Sequence, residues 1–314
     1  MVFLIFEGTD KTGKSTLISE VHKATQFKYP IIDRFSGSSV AYGKFRKRDL
    51  KYEQYFELEK YLFSKCILFY LTTSKENIEK RMIEKDEKDI KVEEIEEVKK
   101  CYEEYLKKTF FKYYIIDTSK SIDECVKEIV EIIKKEEEKN SFQQILDLIE
   151  IIKRNGSEIN NTLEILDVNL EYKSFVVRDW CDYLEKLELN YADITIREKL
   201  FYDRILSSLK HIINSQLKEH SQSESSRRFI YTSQECIDSI HLLKRDNTLR
   251  VFVNIRSSDI LKILPIDMYY LNRIVDGLNY EFFKCSKTQL QFHINSLHLY
   301  LDDKKRLENG NSSK

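Results

Sequence analysis

The chain has 314 residues, 33% of them charged and 41% hydrophobic, with a formal net charge of −1 at pH 7. That length suits two domains rather than one, and so even a charge balance excludes a general pull toward nucleic acid or anionic membrane; a polyanion must be held by a local patch. No segment approaches the roughly 20 apolar residues of a membrane span, and the six scattered cysteines, with no C-x-x-C pair, fit a reducing cytoplasm better than a zinc site or disulfide framework. The apolar start, residues 2–6, is too short for a secretory signal.

In chain order, short apolar runs predict strands at residues 3–7, 29–33, 66–72 and 112–117, of the kind a parallel sheet buries. Helical stretches at 15–26, 52–64, 75–82 and 92–107 lie between them. A last helix of this half starts at Ser121, where Glu124 three residues on completes a capping box. The charged run 134–141 reads as a helix end plus linker, which bounds a first domain at 1–138. Beyond it the pattern changes to a helix at 142–154, a turn at Asn155-Gly156, a strand at 162–172 and a long helix at 196–217. A Ser-rich loop at 220–226 follows, then strands at 229–233, 249–255 and 289–293 with a helix at 265–276. This second domain, 142–305, is α+β without regular alternation, and 306–314 reads as a polar tail.

The stretch Phe6-Glu7-Gly8-Thr9-Asp10-Lys11-Thr12-Gly13-Lys14-Ser15-Thr16 matches G-x-x-x-x-G-K-[ST] in full. An apolar run leads into it, and Leu17 and Ile18 continue as the start of a helix. In that setting backbone N–H groups and a helix N-terminus cradle phosphates. Only seven glycines occur in the chain, yet four fall between Gly8 and Gly43, so an ordinary tight turn is a poor account of the match. The loop points to a bound nucleoside triphosphate with Gly8, Thr12, Gly13, Lys14, Ser15 and Thr16 as contacts. Lys14 would reach the β- and γ-phosphates, and the Ser15 hydroxyl would ligate Mg²⁺. At the next strand end, Asp33 is a candidate for the metal's water shell and Arg34 for an acceptor phosphate.

Read together, these residues resemble the thymidylate kinase family, which carries F-E-G-x-D-x-x-G-K-S-T, then D-R-[YH] with S-x-x-A-Y, then a strand I-x-Y-L and an arginine-containing lid. The counterparts are Phe6 to Thr16, Asp33-Arg34-Phe35 with Ser38-Ser39-Val40-Ala41-Tyr42, and Ile67-Leu68-Phe69-Tyr70-Leu71. The charged helix from Lys80-Arg81 to Lys91 stands where the lid would be, and Tyr114-Ile115-Ile116-Asp117 matches the last strand. The resemblance implies an α/β P-loop kinase with a parallel sheet, using ATP and Mg²⁺. It implies that Asp10 touches the acceptor sugar, that Lys11 takes the place of a basic catalytic loop residue, and that Arg34 binds the acceptor phosphate. Tyr42 would border the acceptor and Arg81 the ATP. In the family a long helical segment between the phosphate loop and the Asp-Arg pair contacts thymine. Here 17 residues lie between Ser15 and Asp33, so the acceptor is expected to be read by the second domain or to be larger than a free nucleotide.

The second domain carries its own constellation. Cys236 is followed by Arg256-Ser257-Ser258-Asp259, Leu264-Pro265-Ile266-Asp267 and Ser296-Leu297-His298-Leu299-Tyr300, and preceded by Ser226-Arg227-Arg228. These segments resemble the thymidylate synthase and pyrimidine hydroxymethylase family, with its nucleophilic cysteine, R-S-x-D, L-P-F-[ND] and H-x-Y motifs, and an S-R-R lent to the dimer partner's phosphate site. The resemblance implies that the Cys236 thiolate adds to C6 of a pyrimidine, making C5 a carbanion able to take a one-carbon unit, with a reduced folate as its donor. Arg227, Arg228 and Arg256 would hold the 5′-phosphate, with Ser257 and Asp259 in the same nucleotide site. His298 and Tyr300 would bind the sugar hydroxyl, and Asp267 would read the base edge. The sequence departs from the family at Glu235 (Pro there) and Ile237 (His there), and no arginine lies near Asn160-Asn161. Trp180 is the only tryptophan, and 14 residues follow Tyr300, too few for the segment that closes the family's folate site. A pyrimidine-binding domain without folate chemistry stays open beside the catalytic one.

The expected whole is an ATP-dependent pyrimidine nucleoside monophosphate kinase fused to a thymidylate synthase-like domain that binds a pyrimidine nucleotide. It would be cytoplasmic, without membrane contact, and a homodimer through its second domain. Two alternatives stay open: a kinase acting on hydroxymethylpyrimidine in modified DNA, with the second domain holding a flipped base, and a non-catalytic nucleotide-gated sensor.

Overall fold

A computed structural model describes residues 2–62, 65–84, 92–173, 175–189, 191, 193–219 and 223–311. Most of the lid stretch (85–91), the start of the Ser-rich loop (220–222) and the end of the tail (312–314) lie outside the described residues. The chain divides into two units, Met1–Glu138 and Lys139–Lys314. No helix among the described residues is long and apolar enough to cross a membrane.

The first unit runs β1 (Phe3–Gly8), α1 (Lys14–Ala24), β2 (Ile31–Asp33), α2 (Ser36–Phe45), α3 (Glu53–Leu62), β3 (Cys66–Thr72), α4 (Lys75–Glu84), α5 (Val92–Leu106), β4 (Lys112–Asp117) and α6 (Ile122–Glu137). Its four strands form one parallel sheet in the order β2-β1-β3-β4. Parallel strands need helical crossovers, and these helices cover both faces of the sheet. Leu4, Phe6, Ile67 and Phe69 pack with Leu17 and Val21 of α1 and with Ile129 and Ile133 of α6. The alternate residues Ile5, Leu68 and Tyr70 pack with Val40 of α2 and with Val98, Tyr102 and Tyr105 of α5. This is why the strands read as unbroken apolar runs. The box that starts α6 forms in both directions, Ser121 accepting from the Glu124 N–H and the Glu124 carboxylate accepting from the Ser121 N–H. Cys125, Ile129 and Ile133, four residues apart, then lie buried on one face.

Helix α2 has no counterpart among the sequence-predicted helices. Its first turn is capped from outside: the buried Glu7 carboxylate, on β1, accepts from the N–H of Phe35 (2.7 Å) and Ser38 (3.0 Å) and from the Ser38 and Tyr102 hydroxyls. A carboxylate from another element thus satisfies open N–H groups at a helix start. The approach is close enough that a Cβ at Gly37 would meet Tyr105 Cε1 at 2.8 Å and the Glu7 carboxyl carbon at 3.0 Å.

The other end of α2 closes in a Schellman turn: the Arg48 N–H reaches the Gly43 carbonyl (2.9 Å) and the Lys47 N–H reaches the Lys44 carbonyl (3.0 Å). Lys47 holds φ 50, the left-handed region where glycine is favoured. Lys47→Gly is therefore expected to stabilise this unit by about 0.5–1 kcal/mol, read as a higher urea midpoint; an unchanged or lower midpoint would show that the turn carries no strain.

Glu59 of α3 is fully buried, and its carboxylate accepts from Ser36 Oγ, Tyr105 OH, Thr109 Oγ1 and the Phe110 N–H. Burial raises its pKa above 4.5 against the pull of these four donors. The folded value lies above the unfolded one, so the stability this group brings is complete below the unfolded pKa and is lost as pH rises through the folded pKa. Denaturation curves taken upward from about pH 4 should fall less steeply for Glu59→Gln than for the parent; equal slopes would place the titration elsewhere.

The second unit contains α7 (Ser141–Asn155), β5 (Ser157–Ile159), β6 (Thr162–Glu171), α8 (Val177–Lys186) and a helical run of α9 (Ile194–Lys199), a π-helical Leu200–Leu206, α10 (Ser207–Asn214) and a π-helical Ser215–Glu219. Then come β7 (Phe229–Thr232), β8 (Ile237–Arg245), β9 (Thr248–Asp259), α11 (Leu264–Leu278), a π-helical Asn279–Phe283, β10 (Lys287–Tyr300) and α12 (Leu301–Asn311). The six strands form a mixed sheet, β5-β6-β10-β9-β8-β7, in which only β10 and β9 run parallel. The reading of 306–314 as a polar tail is corrected through residue 311. Helix α12 is held by the Lys262–Asp303 ion pair (2.6 Å) and buries Leu307.

One feature organises this sheet. On β10 the inward residues are Leu290, Phe292 and Ile294, then Leu297 and Leu299; on β9 they are Val251, Val253 and Ile255, then Ser258; on β6 they are Leu163 and Ile165, then Val168 and Leu170. Ile294 pairs with Ile255 and Val168, and Leu297 with Ser258 and Ile165. The alternation therefore slips by one residue at the same level on all three strands. The neighbouring β8 carries a register shift between Ile237 and Ser239 beside it. On β6 the slip falls at Asp167, whose φ is 57, a bulge conformation that a short polar residue tolerates.

Candidate functional site

The phosphate loop joins β1 to α1. Gly8 (φ 149) has no room for a Cβ, which would sit 2.6 Å from the Leu71 carbonyl oxygen, and Gly13 (φ 79) turns the chain into the helix. Thr12 ties the loop together, its hydroxyl donating to the Thr9 carbonyl at 2.9 Å. Lys14 is largely buried, with Nζ 2.9 Å from Asp33 Oδ1. Ser15 and Thr16, the next residues of α1, are exposed.

Arg34, the residue after β2, lies in the left-handed region (φ 68), a strained placement of the kind found at functional sites. Its N–H is tied to the Phe6 carbonyl at 3.0 Å. Its guanidinium pairs with Asp10 Oδ1 at 2.5 Å, while the Tyr42 hydroxyl donates to Asp10 Oδ2 at 2.9 Å. Arg34 also lies 5.1 Å from the Tyr42 ring centre. Asp10, Lys14, Ser15, Asp33 and Arg34 line one hollow. A second hollow is lined by Lys11, Gly13, Leu17, Arg81, Thr118 and Ile122, among others. Arg81 bridges two loops here, donating to the Lys11 carbonyl (2.8 Å) and the Thr118 carbonyl (2.7 Å).

The residues fit a magnesium ion in one respect. Ser15 and Asp33 give hard oxygen donors to the same hollow, while no group of three or more His, Cys, Asp or Glu among the described residues makes an all-protein cage. Mg²⁺ keeps several waters and takes its remaining ligands from a carboxylate and from substrate phosphates.

Residues 21–129 match the family model for thymidylate kinase. A thymidylate kinase from Dictyostelium discoideum is 30% identical over 145 residues, which is 46% of this chain and 62% of that protein. The first unit is thymidylate kinase-like. The chain spans 62% of the length of that curated relative. A crystal structure of the YorR protein from Bacillus subtilis in complex with phosphorylated GDP covers 44% of this chain and 99% of its own, at 22% identity and a TM-score of 0.39. The family match ends inside the thymidylate kinase-like unit and does not reach the second one.

In the second unit the sequence-predicted residues divide into two groups. One group gathers at the slip in the sheet. Cys236 is exposed at the head of β8, and its carbonyl accepts from the Arg256 N–H at 2.8 Å. Ser257 Oγ lies 3.4 Å from His298 Nδ1, and the His298 ring meets Tyr300 edge-on at 5.5 Å. Glu164, which the sequence did not single out, accepts here from the Ser296 hydroxyl across β6 and β10.

The other group is engaged elsewhere. The buried Asp259 carboxylate accepts from the N–H groups of Leu261 (2.8 Å) and Lys262 (3.0 Å), which makes it the cap of a turn. Asp267 is buried and held bidentate by Arg197 of α9. That corrects the expectation of a carboxylate presented to a base edge. Burial pushes its pKa up to about 6 while Arg197 pulls it down. Arg227 and Arg228 are exposed before β7. Trp180 is fully buried, with Nε1 donating to the Leu261 carbonyl at 2.8 Å, so it offers no face for folate stacking.

Proposed function

We propose that the first unit is a nucleotide kinase that transfers the γ-phosphoryl group of ATP to a pyrimidine nucleoside monophosphate. The observation that carries this reading is the opening of Lys14, Asp33, Arg34 and Asp10 onto one hollow. An oxygen of the acceptor phosphate attacks the γ-phosphorus; that P–O bond forms as the β–γ P–O bond breaks, and ADP leaves with the electron pair. Little covalent chemistry is asked of the protein, which positions charge. Lys14 neutralises the oxygens around the moving phosphoryl group, and the loop N–H groups cradle the donor. Arg34 holds the acceptor phosphate with its fork, and Asp10, set by Tyr42, reaches the sugar. Mg²⁺, held by Ser15 and Asp33 when bound, supplies charge neutralisation on the β- and γ-phosphates.

ADP release measured over dTMP, dUMP, dCMP, their 5-hydroxymethyl forms and DNA carrying hydroxymethylpyrimidine tests the reading, with Lys14→Ala as the blank. Turnover on a free monophosphate supports it. Turnover on DNA alone would replace the acceptor, and nucleotide binding without ADP release on any acceptor would leave a sensor.

For the second unit we infer a pyrimidine nucleotide-binding role of the thymidylate synthase kind. What supports it is the gathering of Cys236, Arg256, Ser257, His298 and Tyr300 at the slip of the sheet. Calorimetric titration with dUMP and dCMP, against Arg256→Ala, tests it; heats equal to the blank for both nucleotides would end it. The burial of Trp180 gives folate chemistry no support.

A further inference from the structure

The turn that follows α2 adjoins the acceptor residues and is strongly cationic. Between residues 44 and 51 it carries Lys44, Arg46, Lys47, Arg48 and Lys51 against one carboxylate, Asp49. Lys44 is taken up by Glu104 at 2.8 Å. Arg46, Lys47 and Arg48 are exposed and form no ion pair with the described residues. In a chain of net charge −1, such a run on the solvent side would by itself be an ordinary surface.

Three features set it apart. The Arg46 guanidinium lies 5.7 Å from the centre of the same Tyr42 ring that Arg34 approaches at 5.1 Å, so the turn is continuous with the Arg34–Asp10–Tyr42 cluster. The turn is fixed in place rather than loose, by its two helix-end hydrogen bonds and by the Tyr52 hydroxyl donating to the Arg48 carbonyl at 3.1 Å. A cation also stands at position 47, where the backbone favours glycine.

We propose that this turn extends the acceptor site and that the acceptor carries a second phosphate group beyond the one that is phosphorylated. Arg34 takes the reacting 5′-phosphate, and Arg46, Lys47 and Arg48 take the second, as exposed cations do along a polyphosphate. This rests on the kinase reading of the same hollow. The bond changes are those of that reaction, since the second phosphate is a spectator. Two sources share this chemistry: a free nucleoside 3′,5′-bisphosphate, and the 5′-phosphorylated end of an oligonucleotide.

The test uses the full chain and the double variant Lys47→Gly, Arg48→Ala, chosen because glycine suits the turn and keeps it folded. Binding of thymidine 5′-monophosphate, thymidine 3′,5′-bisphosphate and a 5′-phosphorylated oligothymidylate is read by calorimetry, and ADP release in parallel. The parent should bind the bisphosphate about three- to tenfold more tightly than the monophosphate, as expected for two exposed charge-assisted contacts. The double variant, which retains Arg46, should lose most of that gain and keep its monophosphate affinity. A gain that carries over to the oligonucleotide assigns a polynucleotide end; one confined to the bisphosphate assigns the free nucleotide. Equal affinities for mono- and bisphosphate in the parent, or a gain that survives in the variant, overturns the proposal. Because calorimetry reads the turn without turnover, a failure of phosphoryl transfer is told apart from a failure of the second phosphate subsite.

Discussion

Lys14→Ala is expected to lower the phosphoryl-transfer rate at least about a thousandfold while leaving the unfolding midpoint of the first unit within error of the parent. The side chain is largely buried and aimed at Asp33 across the hollow, at 2.9 Å. Its partner Asp33 is about half exposed, so removing the lysine strands no buried charge. Arg34→Ala should separate the two halves of the site: acceptor kcat/KM should fall about a hundredfold or more with ATP affinity retained. If Arg34→Ala weakened ATP as much as acceptor, the arginine would not be specific to the acceptor and its place on the acceptor phosphate would have to be withdrawn. If Lys14→Ala kept a tenth of the parent rate, the loop would be binding nucleotide without catalysing transfer.

Asp267→Ala is the variant expected to cost most in stability. It leaves the Arg197 guanidinium facing an apolar surround with its partner removed, and breaking a buried pair from one side costs about 3–5 kcal/mol. Arg197 retains 20% of its side-chain exposure, so water can reach it and the lower end, about 3 kcal/mol, is expected. The double variant Arg197→Met, Asp267→Leu should recover most of that loss, because no stranded charge remains. A double variant as unstable as the single one would show that the pair holds α9 against α11 in a way apolar packing cannot replace. Nucleotide titration of the stable double variant would then read whether the pair has any part in binding.

The phosphate loop was legible because its chemistry is sequential: Gly8, Gly13, Lys14 and Ser15 act where they stand in the chain. The box at Ser121 and Glu124 was legible for the same reason. Arg81 could be placed near the nucleotide only through its resemblance to a lid arginine. Its bonds to the carbonyls of Lys11 and Thr118, 70 and 37 residues away, leave no local pattern. Asp267 shows the converse. Its place in a motif is visible, but its counter-ion lies 70 residues earlier, so a carboxylate already held by a guanidinium reads as a free one. Helix α2 went unseen because its cap is Glu7, a residue of another element.

The strand ends were missed for a more systematic reason. The strands expected at 249–255 and 289–293 stop near the point where the two-residue alternation changes phase, and a rule built on alternation must stop there. The backbone continues, to Asp259 on β9 and Tyr300 on β10. Strand β8 was hidden by Asp238, His241 and Lys244, polar residues interleaved along its exposed and half-exposed positions.

That phase change has a consequence for how this sheet can vary. Parity along a strand is a global property: deleting one residue turns every later side chain from the inner face to the outer. Here three adjacent strands have changed parity together, so none can revert alone. Removing Asn169, just past the slip, would ask Leu170 to face outward while Phe292 beside it still faces in. Substitutions at the slip should therefore be tolerated far better than single-residue insertions or deletions there. Its position is free to drift only if β6, β9 and β10 all change length in concert.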